Sequence, residues 1–285
     1  VSTAQPLFRF LVSELSTAYD RAEAQAIAYR LLGHFLRLSR TDVLLDKWIS
    51  DQQPDWSAPL ARLKTHEPVQ YVLGEEEFYG RTFTVTPATL IPRPETEELV
   101  SLVVKELKIS PPPLAPCSLL DIGTGSGCIA VTLALELPGA LVSAWDVSPE
   151  ALAVARRNAE RLGASVQFEQ RDVLNFPFSI LHSPFSILIS NPPYVARAEA
   201  NRMHPNVLDH EPHLALFVPD DDPLIFYKAI ADLGLNALVP GGLVFLEINA
   251  RFGAETAAVF LKRGYASAQV LQDLAGKDRF VRAVR

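Results

Sequence analysis

Sulfur is scarce in this chain: Cys117 and Cys128 are the only cysteines among 285 residues. Two thiols without other sulfur ligands nearby exclude a disulfide framework and argue against a zinc site, so no metal is expected and a reducing, cytoplasmic setting is. Long apolar runs are missing as well. None approaches the ~18 residues that a membrane span requires, so no membrane partner is expected. No secretory leader pattern is seen, because the first 15 residues carry Arg9 and Glu14 inside an amphipathic pattern. Positive charge is in deficit, with 26 Lys and Arg against 33 Asp and Glu, a net charge of −7. A protein whose affinity comes from duplex phosphates is basic, so no direct nucleic-acid partner is expected. Internal repeats and low-complexity tracts are absent too.

What remains is ordinary globular material, 48% hydrophobic and 21% charged, long enough for one large domain or two. Up to about residue 75 the apolar positions keep helical spacing: Leu7, Phe8, Leu11 and Leu15, then Ile27, Leu31, Leu32, Phe35 and Leu36. Asp20 with Glu23 forms a helix-start pattern, Thr41-Asp42 is the expected cap of a short helix, and another helix is expected through Leu60 and Leu63. Trp48 and Trp56 are expected to pack in the core of this bundle. Residues 76–92 change period, and Phe78, Phe83 and Val85 around Gly80-Arg81 suggest a hairpin. The run "LIPRPETEELV" (Leu90 to Val100) is a proline-containing turn opening a helix with early glutamates, which suits the positive end of the helix. "SPPPLAP" (Ser110 to Pro116) is expected to be an extended connector.

From Cys117 strands and helices alternate. The strand candidates are "CSLLDIG", "LVSAWD", "SVQFEQ", "FSILIS" and "GGLVFLEIN", with helices at Pro149 to Leu162 and Leu224 to Leu238. Alternation of this kind means a parallel sheet covered on both faces. The tail "SAQVLQDLAGKDRFVRAV" adds two strands around an Ala-Gly-Lys-Asp turn. The expected architecture is therefore α/β: a Rossmann-like, class I methyltransferase-type domain whose mostly parallel seven-stranded sheet ends in an antiparallel hairpin. The expected layout is a helical substrate-recognition domain over residues 1–75, a linking hairpin over 76–92 and a catalytic domain over 93–285.

The glycine loop "LLDIGTGSGCIA" (Leu119 to Ala130) follows the first of these strands. Its spacing is G-x-G-x-G behind Asp121, and Cys128 stands where a dinucleotide fingerprint would place its third glycine. An acidic residue beside exposed loop amides suits S-adenosyl-L-methionine, which has a cationic sulfonium and an amino-acid moiety but no pyrophosphate. The candidate cofactor residues there are Asp121, Ile122, Gly123, Thr124 and Gly125. Asp146, at the tip of the second strand, is placed to accept hydrogen bonds from the ribose hydroxyls, since Ser148 already serves as the cap of the next helix. Asp172 and the backbone N–H of Val173 are placed to meet adenine.

The fourth strand delivers Asn191-Pro192-Pro193-Tyr194 to the same edge. The nitrogen of an amide or aryl –NH2 is a poor nucleophile because its lone pair is delocalised. The Asn191 side-chain oxygen and the Pro192 carbonyl can each accept one N–H, holding that nitrogen in line with a methyl donor. Pro193 fixes the direction of the carbonyl, and the Tyr194 ring is suited to pack against a planar group. Asn191 thus borders both substrate and cofactor. Arg93 and Glu95 are expected either to line the site or to pair with each other. His204, His210 and His213 lie in a loop that is expected to cover the pocket, with Glu211 holding it. Cys128 is expected to fill a small packing space.

Asn-Pro-Pro-Tyr behind Asp-x-Gly-x-Gly-x-Gly resembles the amino-methyltransferases of exocyclic nitrogens, DNA adenine enzymes among them. "IPRPETE" (Ile91 to Glu97), "EPHLAL" (Glu211 to Leu216) and "DLAGKDRFV" (Asp273 to Val281) narrow the resemblance to the HemK/PrmC family, the protein-(glutamine-N5) methyltransferases of peptide chain release factors. It covers almost the whole chain. A ribosomal-protein branch resembles it less, because that branch lacks the Arg-Pro-Glu-Thr-Glu run. The resemblance implies a substrate glutamine in the Gly-Gly-Gln loop of a release factor, gripped by the N-terminal domain, with S-adenosyl-L-homocysteine as the second product and the enzyme a monomer. The alternatives are an adenine-N6 methyltransferase of nucleic acid, which predicts a basic cleft, and a non-catalytic module, which predicts decay at Asp121, Asp146 or Asn191.

Overall fold

The computed structural model describes residues 2–50, 53–109, 116–175 and 184–285. All but Pro116 of the proline-rich connector lies outside the described residues. The chain divides into two compact units, Val1–Glu75 with His204–His210, and Glu76–Met203 with Glu211–Arg285.

The first unit is built on helices α1 (Ala4–Leu15) and α2 (Arg21–Leu36), followed by short helices at Arg40–Leu44, Ser57–Leu63 and Val69–Leu73. The i, i+4 rows meet in one apolar core, where Leu11, Leu15, Leu31, Leu32 and Leu63 are fully buried. Asp20 caps α2 by accepting the Glu23 N–H at 2.9 Å. The cap of the next helix lies earlier than Thr41. Ser39 accepts the Asp42 N–H at 3.1 Å and Asp42 accepts the Ser39 N–H at 2.9 Å, a reciprocal capping box. The two tryptophans part company. Trp56 is buried, but Trp48 is 61% exposed, because it alternates with the inward-pointing Ile49 in a two-residue strand paired with Ser2-Thr3.

The expected hairpin follows, strands Glu75–Phe78 and Arg81–Thr84, all but Glu75 belonging to the second unit. Its turn residues Tyr79 and Gly80 have φ of 51° and 69°, the mirror-image turn that matches strand twist. Helix α3 (Pro94–Ile109) follows. Its first turn carries Glu95 and Glu97, and Glu97 also accepts the Tyr79 N–H at 2.9 Å.

Seven strands then form one sheet: β1 (Ser118–Ile122), β2 (Leu141–Asp146), β3 (Val166–Gln170), β4 (Phe185–Ser190), β5 (Leu238–Glu247), β6 (Ser267–Gln272) and β7 (Asp278–Val284). Their order is β6-β7-β5-β4-β1-β2-β3, and only the β7 contacts are antiparallel. Both faces of the central strands are covered, so β1 and β4 carry apolar residues to each side, Leu119 and Leu120 in one and Ile187, Leu188 and Ile189 in the other. Leu119, Ile187 and Phe245 point to one layer with α3, α4 (Cys128–Glu136) and the Ala159 face of α5 (Pro149–Leu162). Leu120, Leu188 and Val244 point to the other, with α6 (Ile225–Ala237) and α7 (Gly253–Lys262). Helix α5 keeps its expected limits: Ser148 accepts the Ala151 N–H, Pro149 occupies the first turn, and Gly163 closes the helix at φ 73°. The α/β class and the antiparallel closing hairpin expected from the sequence are present. Among the described residues no helix is long and apolar enough to cross a membrane.

Candidate active site

Because β1 to β5 run parallel, Ile122, Asp146, Gln170, Ser190 and Glu247 end at one edge of the sheet, where ligands of open α/β sheets bind. A cavity of about 430 Å³ opens there within the second unit. Ile122, Gly123, Asp146, Asp172, Val173, Asn191, Pro192 and Pro193 line it, together with Arg93 and Thr96 from the start of α3.

The glycine turn joins β1 to α4. Gly123 and Thr124 donate their N–H groups to the Trp145 carbonyl at 2.8 and 2.9 Å. Gly127 has no room for a side chain, since a Cβ would lie 3.1 Å from the Ala155 Cβ, whereas a Cβ on Gly123 or Gly125 would meet no atom within 4 Å. One glycine therefore serves packing, and two leave open space above the backbone. Asp121 sits beneath the turn, fully buried, accepting the Thr124 hydroxyl at 2.6 Å. Burial is the main reason its pKa is pushed up to about 7. Asp121, Thr124 and Gly125 do not line the cavity themselves.

Asp146 faces it. Its Oδ2 accepts the Gly125 N–H at 2.8 Å and its Oδ1 accepts the Ser148 N–H at 2.9 Å. Burial raises its pKa, and these backbone bonds oppose the rise. Each oxygen keeps a lone pair for a further donor. Asp172 closes its own turn, taking the Leu174 N–H at 2.9 Å and the Asn175 side-chain amide at 2.7 Å.

The Asn-Pro-Pro-Tyr segment leaves β4 after Ser190, whose hydroxyl donates to the Ile122 carbonyl at 2.6 Å and ties the two strand ends together. Asn191 Nδ2 donates to Thr96 Oγ1 at 3.1 Å. Thr96 donates in turn to Glu247 Oε2 at 2.7 Å, and Tyr194 donates its hydroxyl to Glu247 Oε1 at 3.1 Å. Tyr194 lies behind the cavity wall rather than on it, packed against the α6 core. Its carbonyl accepts from Asn249 Nδ2 at 3.2 Å. Neither Thr96 nor Glu247 stood out in the sequence. The available signal was a carboxylate ending the apolar run of β5, the same signal that marks Asp121 and Asp146.

Arg93 pairs with Glu211, not with Glu95. Glu211 is 4% exposed and also accepts the Ile91 N–H at 3.1 Å, fixing the segment before α3. Cys128 is buried, and burial pushes its thiol up to about 12, which leaves it inert. Among the described residues no group of three or more His, Cys, Asp or Glu side chains is arranged to hold a metal ion.

Residues 101–210 match the family model of the methyltransferase small domain, and residues 7–74 match that of the PrmC N-terminal domain. The release factor glutamine methyltransferase of Bacteroides thetaiotaomicron is 44% identical, over 97% of this chain and 98% of its own. That of Flavobacterium psychrophilum is 42% identical over 95% of each. The chain belongs to the release factor glutamine methyltransferase family. A methyltransferase structure from Pyrococcus furiosus, 18% identical, shares its fold with a TM-score of 0.51, covering 80% of this chain and 98% of the other.

The methyltransferase uses S-adenosyl-L-methionine. Its residues fit that group. Asp146 at the tip of β2 has acceptor capacity to spare, and open space lies over Gly123 and Gly125. The apolar side chains of Ile122, Val147, Val173 and Leu174 line the same cavity and suit an adenine ring.

Proposed function

We propose that the methyltransferase moves a methyl group from S-adenosyl-L-methionine to the side-chain nitrogen, N5, of the glutamine in the Gly-Gly-Gln motif of a peptide chain release factor. The observation that supports it most is the position of Asn191 and Pro192, which line the cavity beside Gly123 and Asp146. Bound there, the cofactor supplies an electrophilic methyl on a sulfonium. In this reading Asp121 supports the glycine turn from below, Gly123 leaves space for the methionine part, and Asp146, held by the Gly125 N–H, takes the ribose hydroxyls. Asp172 and Val173 border the adenine.

Asn191 and Pro192 act on the substrate. The Asn191 oxygen accepts one N–H of the glutamine amide and the Pro192 carbonyl accepts the other. Two acceptors fix the plane of the –NH2 and favour its pyramidal form, so the lone pair points at the methyl. The nitrogen sheds a proton to water once it carries positive charge, and no strong base is required. Pro192 and Pro193 have no N–H, so they place acceptors here without competing donors. Tyr194 steadies the segment from behind through Glu247.

The test is transfer of labelled methyl to a cognate release factor, to the same factor with its Gly-Gly-Gln glutamine changed to alanine, and to a DNA duplex. Label on the wild-type factor alone supports the proposal. Equal label on the alanine factor, or label on the duplex, contradicts it.

A further inference from the structure

Asn191 and Thr96 on the cavity wall, and Glu247 and Tyr194 behind it, form one chain of hydrogen bonds drawn from the segment after β4, from α3 and from β5. Its links are 3.1 Å from Asn191 to Thr96, 2.7 Å from Thr96 to Glu247 and 3.1 Å from Tyr194 to Glu247. With Glu247 ionised, the chain has one consistent arrangement of protons. A carboxylate only accepts, so both hydroxyls give it their single proton. Thr96 then has lone pairs alone to offer Asn191. The group that Asn191 turns to Thr96 must be its –NH2, which leaves Oδ1 as the face offered to the cavity.

We infer that Glu247 and Thr96 are positioning residues that lock the Asn191 amide with its oxygen toward the substrate, making the wall an acceptor pair that takes an –NH2 and rejects a group with lone pairs only. The inference rests on the reading in which Asn191 accepts from the substrate amide. The opposite rotamer would set the Asn191 –NH2 against the –NH2 of the substrate, donor facing donor, while Thr96 lost the proton arrangement that Glu247 imposes. Glu247 is 1% exposed and Thr96 is 3% exposed, so water does not replace either partner cheaply. Burial raises the pKa of Glu247, while the two hydroxyls and Arg279 favour its charged form. Tyr194 is spoken for by the same carboxylate, and its hydroxyl proton is not available to the substrate.

The experiment compares Thr96→Val, Thr96→Ser, Glu247→Met and Asn191→Ala in the full chain. It reads kcat and KM with a release factor and, separately, S-adenosyl-L-homocysteine affinity by calorimetry. Val removes the acceptor of Asn191, and Met removes the acceptor of Thr96 without leaving a buried charge. Both are expected to lower kcat roughly 10²-fold, the scale of a misdirected reacting group. S-adenosyl-L-homocysteine affinity should stay within about twofold, since neither side chain touches the residues that hold the ribose. Thr96→Ser keeps the hydroxyl and should keep kcat within about threefold of wild type. A merely structural role would lower S-adenosyl-L-homocysteine affinity and leave kcat per folded enzyme unchanged. Wild-type kcat in Thr96→Val with Asn191→Ala inactive overturns the inference and leaves the proposed reaction standing. Wild-type kcat in Asn191→Ala removes both. Should Glu247→Met fail to fold, the contrast between Val and Ser at Thr96 decides alone.

Discussion

Asp146 Oδ2 accepts the Gly125 N–H at 2.8 Å, so the tip of the second strand holds the glycine turn of the first. The same carboxylate faces the cavity, and one substitution therefore touches both the loop and the ligand. Asp146→Ala is expected to weaken S-adenosyl-L-homocysteine binding about 10²-fold, or ~2–3 kcal/mol, the worth of hydrogen bonds to a charged acceptor. Calorimetric titration checks it, and unchanged affinity would remove Asp146 from the ribose contact.

Asn158 is fully buried in α5 and uses its whole side-chain amide. Oδ1 accepts the Thr84 N–H at 2.8 Å, and Nδ2 donates to the carbonyls of Thr84 and Ser126, each at 2.9 Å. The hairpin and the glycine turn are thus fastened to one helix. Asn158→Ala leaves these backbone groups buried without partners and is expected to cost about 2–4 kcal/mol of stability. Urea unfolding measures this. A loss below the scale of one hydrogen bond would show that the three contacts contribute little.

Asp121 gives a pH signature. Its folded-state pKa is pushed up to about 7, above the ~3.9 of an unfolded aspartate. Between those values the folded protein holds more protons than the unfolded chain, so the contribution to stability is full below about pH 4 and is lost as pH rises to about 7. Asp121→Asn removes this dependence. Without cofactor, the stability difference between variant and wild type should move in the variant's favour from about pH 4 to 7 and stay level above that. Unfolding series across this range check it, and a flat or reversed difference would contradict the burial argument.

Much of this was legible because it is local. The limits of α5 are written in Ser148, Pro149 and Gly163, and the two-layer core in the adjacent apolar residues of β1 and β4. Strand-end carboxylates and the Asn-Pro-Pro-Tyr stop drew attention to the edge where the cavity lies. What stayed hidden depends on partners far apart in the chain. Thr96 and Glu247 meet across 151 residues, and Arg93 finds Glu211 across 118. No spacing rule joins such pairs, so the nearby Glu95 was the only partner that the sequence offered Arg93. Tyr194 shows the same limit from the other side: its place in the motif suggested the cavity, but its hydroxyl is drawn to the carboxylate of another strand. Trp48 is exposed where the sequence suggests core, because a two-residue strand carries no readable alternation.

We propose that Asn191 and Pro192 present a glutamine amide to the methyl donor. It is tested most directly by fragment mass spectrometry of a release factor incubated with the enzyme and S-adenosyl-L-methionine. A single added methyl is expected, carried on the side-chain nitrogen of the Gly-Gly-Gln glutamine and missing when Asn191→Ala replaces the wild-type enzyme. A methyl on any other residue of the factor, or an unchanged yield with Asn191→Ala, would contradict it.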